Sequence, residues 1–375
     1  MNINQTLKDR LSKDGYLNIA NMEKQLKDFL CGGERFHGED GFRTRRELAE
    51  RIIKSIMDPH NKGDLHTCVG ELGNVEQGTR NLDERTRDHV VHALLTFILG
   101  IYMNKYFMNE RYGETIKDLQ WKICGMFHDV GYPVEIASRI IKGYVNNING
   151  IKKKIDLEVP DVSFNIGFTV PDGASNTVSS ILTCLQNEKN SLCLIQKVVD
   201  DWKLQIHVRD EYDRLMKNGN VCHGILSSLS VLYVIDLIYQ KHNPKREYKT
   251  IYHKESDCNQ DHFDKQIVPA CAAIFLHNLP AHCFKDAKIH PEYAPLPYLL
   301  KLCDTLQDWE RPSTEDQDGF PPGLYDIEVQ DGKLIFYAKE RKRDLEKELS
   351  DFLIMDDIVI KKVKQPLACS QHFLF

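Results

Sequence analysis

Five histidines and two aspartates sit in stretches that otherwise read as protein interior. That placement limits the fold more than any other feature of the chain. In RDHVVHALLTFILG, His89 and His92 stand three apart on one apolar helical run, and in FHDVGYP, His128 adjoins Asp129 where such a run ends. VCHGILSS opens a run with His223, AAIFLHNLP closes one with His277, and LLKLCDTLQDWERP carries Asp304 on a helix whose other face is apolar. Any one of these residues alone is explained as a hydrogen-bonded core residue or a helix-surface carboxylate. Together they are harder to explain that way, because burying an ionisable group without a partner costs several kcal/mol. A divalent cation would partner all of them at once, and neutral imidazole and carboxylate are its natural ligands. The chain should therefore fold as helices gathered around a shared buried cation site.

The rest of the pattern agrees with a mainly α fold. Ile19, Met22, Leu26 and Leu30 form one helical stripe, and Leu48, Ile52, Ile53 and Ile56 a second. Residues 58–80, rich in Gly, Asn and Asp, read as loop. Helices are predicted over 83–106, 116–127, 134–144, 179–186, 191–216, 224–239, 269–276 and 296–309, with Gly131-Tyr132-Pro133 as punctuation. Residues 151–176 read as an insertion of loop and short strand. After Pro312 the texture changes: GLYDIEVQDGKLIFYA alternates around Asp331-Gly332, a hairpin signal. A charged helix over 340–353 and a strand over 357–363 follow. The expected organisation is a helical extension (1–80), a helical domain (81–312) and a small α+β appendage (313–375).

Composition excludes several classes. With 42% apolar and 28% charged residues, the chain is neither disordered nor membrane-embedded in bulk. A net charge of −6 argues against bulk nucleic-acid binding. The basic clusters at 152–154, 241–249 and 341–343 read as solvated faces. The apolar run 93–103 is interrupted by Thr96 and Gly100 and falls short of the ~20 residues that span a bilayer. The polar start MNINQTLKDRLSKDG shows no secretory pattern, and the eleven cysteines contain no CxxC pair. They read as reduced thiols, mostly core filler, in a cytoplasmic protein with no membrane partner.

The order His…HisAsp…His…His…Asp resembles the HD superfamily of metal-dependent phosphohydrolases and phosphodiesterases, over about residues 80–312. His92, followed by Ala93-Leu94-Leu95, fits the first histidine of that pattern better than His89. His128 and Asp129 match the doublet and Asp304 the closing carboxylate; His223 and His277 fall where members with a second metal add two histidines. The resemblance implies an HD-type helical bundle holding two divalent ions (Mn, Fe, Mg, Ni or Zn), with Asp129 bridging them. It also implies hydrolysis of a phosphoester or phosphoanhydride bond, of a nucleotide or related small phosphorylated compound, by a metal-activated water. His89, or else Asp88, would deliver a proton to the leaving oxygen. Arg87, Lys142 and Arg311 flank the motif as candidates for holding the other phosphates, and Gln307, three residues after Asp304, for orienting a ligand. Two other readings share this site: a di-iron oxygenase, and a metal- or nucleotide-sensing module without turnover. A homo-oligomer is left open.

Overall fold

The computed structural model describes residues 3–36, 38–70, 88–154, 191–218, 221–242, 260–307, 326–339 and 345–363. Arg87, Arg311, the predicted helix at 179–186 and most of the predicted insertion lie outside them, as do 243–249 and 341–343 of the basic clusters. The fold is mainly α with a small three-stranded sheet near the C-terminus.

Helices α1 (Ile3–Lys13), α2 (Glu23–Cys31) and α3 (Gly38–Met57) form the N-terminal layer, their apolar stripes turned inward through Leu7, Leu11, Leu26, Ile52, Ile53 and Ile56. Within the predicted loop at 58–80, two 3-10 turns (Asp58–His60 and Gly63–Leu65) and a helical turn over 66–70 are formed. Burial of Leu65 and Val69 organises this stretch where composition alone suggested none.

Helix α4 (His89–Met103) begins later than predicted, because Asp88 is its N-cap and accepts the Val91 N–H at 3.1 Å. A π turn over Asn104–Met108 carries the helix on to Tyr112. The joined stretch His89–Tyr112 is, by length and composition, long and apolar enough to cross a membrane, which the run at 93–103 alone is not. In this fold it is a core helix, with 83% of its most apolar window buried. It packs against α3 and α5 (Asp118–Phe127). Helix α6 (Tyr132–Lys154) outruns its prediction and includes the start of the expected insertion.

The predicted helix at 191–216 is two helices, α7 (Ser191–Asp201) and α8 (Val208–Asn218). The break falls where Lys203 takes φ +58° and Leu204 and Ile206 turn into the core. Helix α9 is His223–His242 and α10 is Val268–His277. Helix α10 is buried on every side, as a central helix must be, and packs against α5, α7, α9 and α11 (Pro295–Leu306).

Strands β1 (Asp326–Gln330) and β2 (Lys333–Lys339) pair antiparallel, and β3 (Ile358–Val363) adds parallel to β2. Asp331 (φ +52°) and Gly332 (φ +71°) make the predicted turn, both in the left-handed region that a two-residue hairpin requires. Of the predicted charged helix, α12 (Leu345–Ser350) ends three residues early, and 340–344 lie outside the described residues. Leu334, Phe336, Leu349 and Leu353 join the same apolar core as the helices. Polar contacts also seat the sheet: Asp357 accepts from Arg111 Nε (3.0 Å) and Tyr112 OH (2.7 Å), and Tyr298 OH donates to the Ile354 carbonyl (2.9 Å).

Candidate metal centre

Helices α4, α9, α10 and α11 and the corner between α5 and α6 each bring donors to one buried point. His92 sits one turn into α4. His128 and Asp129 leave the end of α5, His223 opens α9, His277 ends α10, and Asp304 lies on the last turn of α11. A close approach makes the corner possible. A β-carbon on Gly131 would lie 2.7 Å from the His223 carbonyl oxygen, from Leu226 Cβ and from the Ser227 nitrogen, so only glycine lets α9 come this near. The Gly131 N–H donates to Ser227 Oγ at 2.8 Å and fastens the contact.

The side chains form two halves that share Asp129. In one half, His92 Nε2 lies 3.2 Å from His128 Nε2, 3.0 Å from Asp304 Oδ1 and 3.6 Å from Asp129 Oδ2. His128 Nε2 is 3.5 Å from Asp129 Oδ2 and 3.7 Å from Asp304 Oδ1. In the other half, His223 Nε2 lies 3.2 Å from His277 Nε2 and 3.2 Å from Asp129 Oδ1, while His277 Nε2 is 3.6 Å from that same oxygen. Asp129 therefore aims one oxygen at each pair of histidines.

The outer faces of the four imidazoles show that this donor set fits a cation. His92 Nδ1–H donates to Gln307 Oε1, His128 Nδ1–H to the Gly125 carbonyl (3.1 Å), His277 Nδ1–H to the Ile274 carbonyl (2.6 Å) and His223 Nδ1–H to Glu135 Oε2 (2.8 Å). With each Nδ1 committed outward, each Nε2 presents its lone pair inward, the arrangement found at metal-ligating histidines. Two facing lone pairs 3.2 Å apart repel unless a proton or a cation lies near both. The donors of each half, His92/His128/Asp129 and Asp129/His223/His277, all fall within 4.8 Å of one another. These buried groups could hold a metal ion.

The charges respond to this crowding. Burial alone would raise the Asp129 carboxyl, but the His128, His223 and His277 rings outweigh it and hold the group well below the usual carboxylate range. Asp304 is held down in the same way by His128 and His92. Burial pushes His277 below the ordinary histidine value. At His223 burial works in the same direction, yet the Asp129 and Glu135 carboxylates overcome it and push its pKa up to about 10.

The remaining expected residues divide. His89 is buried, one turn before His92, with its ring stacked on Tyr132 at 3.8 Å between centroids. Asp88 is engaged in the helix cap and in an ion pair with Arg46 Nε at 3.0 Å. Gln307 is buried against the back of His92, a placement that suits orienting this ring rather than contacting a ligand. Lys142 is half-buried on α6, two turns beyond Glu135. Sequence reasoning missed Glu135. Its only local signal was an acid in the first turn of a helix, which the helix dipole explains equally well.

A further trio, Glu211, His282 and Cys283, also brings donor atoms together. Its carboxylate is already paired with Arg214 at 2.6 Å, so its charge is spent. Comparison with protein-family models, with curated proteins and with solved structures found no match.

Proposed function

We propose that this chain is a metal-dependent hydrolase of the HD type that cleaves a phosphoester or phosphoanhydride bond in a nucleotide or related small phosphorylated compound. The observation that supports the reading best is the split aim of Asp129, with Oδ2 toward His92 and His128 and Oδ1 toward His223 and His277. In this proposal His92, His128, Asp129 and Asp304 hold one divalent ion, and Asp129, His223 and His277 hold a second. Such ions would polarise a phosphoryl oxygen, lower the pKa of water toward ~7 and neutralise charge that develops during phosphoryl transfer.

The protein's own groups carry the rest. Asp304 and His223 are the least buried of the six ligands, at 17% and 13% side-chain exposure, while the other four are at 2% or less. The substrate would therefore approach over Asp304 and His223. His89, held against Tyr132 next to His92, is the residue assigned to protonating the leaving oxygen, because Asp88 is occupied elsewhere. Lys142, Arg87 and Arg311 are assigned to the phosphates that do not react.

The test combines metal analysis of the purified protein with a hydrolysis screen over a nucleotide library. About two divalent ions per chain and release of phosphate or a nucleoside monophosphate are expected. Asp129→Ala should lose both metal and turnover while the far-UV circular dichroism stays helical. Full activity in that variant would refute the assignment. Retained iron with oxygen consumption and no phosphate release would replace hydrolysis with oxygenation.

A further inference from the structure

The two halves of the centre are braced by different chemistry. His92, His128 and His277 each donate Nδ1–H to a neutral oxygen: an amide side chain or a backbone carbonyl. His223 instead donates to a carboxylate, Glu135 Oε2, at 2.8 Å, and the same oxygen accepts its backbone N–H at 2.9 Å. One carboxylate oxygen thus holds both the ring and the main chain of a single residue.

That brace falls where it is needed. His223 is the first residue of α9, so its N–H is one of the donors that a helix leaves without an internal partner. Glu135 reaches across from α6 and caps it. The negative charge is also unequal between the halves. Asp129 and Asp304 both face His92 and His128, whereas Asp129 is the carboxylate facing His223 and His277. A carboxylate on the outer Nδ1–H makes the inner nitrogen of an imidazole more basic and fixes its tautomer. Glu135 therefore gives the second half, through the His223 ring, the charge that Asp304 gives the first half directly.

We propose that Glu135 is the positioning residue of the His223/His277 half, setting that half's hold on its ion while the other half keeps its own independently of Glu135. This inference rests on the two-ion reading above. Mn²⁺ binding to the full chain should be measured by equilibrium dialysis and metal analysis, and Co²⁺ binding by visible absorption, for the wild type, Glu135→Ala and Glu135→Gln. The wild type should hold about two ions. Glu135→Ala should hold one at the same free Mn²⁺, and should recover the second only at about 10–100-fold higher concentration. Glu135→Gln should fall between, since its amide oxygen still accepts Nδ1–H but brings no charge. The Co²⁺ spectrum of Glu135→Ala should lose the contribution of one ion and keep the other, and that of Glu135→Gln should lose part of the same contribution. The retained ion is itself the control for folding, and if Glu135→Ala does not fold, Glu135→Gln decides.

Two ions at wild-type affinity in both variants would overturn this inference and leave the two-ion reading standing. Loss of both ions from a folded variant would overturn the independence of the halves. Fewer than two ions in the wild type would overturn the two-ion reading and this inference with it.

Discussion

Adding one methyl group at Gly131 should disable half of the centre from outside it. A β-carbon there would lie 2.7 Å from three atoms of α9, two of them main-chain. Comfortable contact begins near ~3.5 Å, so the start of α9 must retreat by roughly 0.8 Å. Main-chain atoms cannot rotate away as a side-chain tip can, so the strain should cost about 1–3 kcal/mol, typical of overpacking. The retreat also carries His223, now 3.2 Å from Asp129 Oδ1. Metal–ligand distances tolerate only about 0.2 Å, so a shift several times larger should release the ion assigned to His223 and His277. Urea denaturation of Gly131→Ala, with metal analysis on the same sample, reads both effects. A lower midpoint with an unchanged slope is expected, together with about one ion per chain instead of two. An unchanged midpoint with two bound ions would refute the argument, because the close packing of α9 on the corner would then not be what holds His223 in place.

Two further outcomes follow from polar contacts elsewhere. Asp88→Ala removes the cap of α4 and one partner of Arg46, and should destabilise by about 2–4 kcal/mol; Asp88→Asn, which can still cap, should recover about 1 kcal/mol of that loss in the same urea titration. Burial opposes the Asp357 charge, but Tyr112 and Arg111 outweigh it and hold the carboxyl below its ordinary value. A depressed carboxyl stabilises the fold above its unfolded pKa of ~3.9, and that contribution is lost as pH falls through the folded value. Asp357→Asn should thus melt at a lower temperature at pH 7 and show less acid sensitivity below about pH 4. Equal melting of variant and wild type at pH 7 would count against the role of this contact in seating the sheet.

The six candidate ligands could be picked out in advance because each stands within or at the end of an apolar helix, and a lapse in hydrophobic pattern is visible one residue at a time. Glu135 could not, since its partner lies 88 positions downstream and a glutamate in the first turn of a helix is ordinary. A helix running on to residue 309 would set Gln307 near the face of Asp304, where it could orient a ligand. The helix ends at Leu306, and Gln307 leaves helical geometry at φ −79°, ψ 70° with its amide against His92. The break at Lys203 carries no sequence sign, because a lysine in left-handed conformation is tolerated only once Leu204 and Ile206 find the core. The thiols were only partly legible: Cys124, Cys271 and Cys303 do fill the core, but Cys31 and Cys193 are exposed. The hairpin was the most legible element, since Asp331-Gly332 specifies its turn locally.

His92 and Asp304 meet across 212 positions of sequence. A chain emerging from the ribosome exposes His92 and the His128-Asp129 doublet long before their last carboxylate has been made. Until Asp304 is out and α11 has docked, the early histidines have no finished pocket in which to capture a cation. Any loading of the His92/His128 half would thus be tied to late synthesis, and a truncated product ending before residue 304 would carry the recognisable doublet yet lack the closed centre.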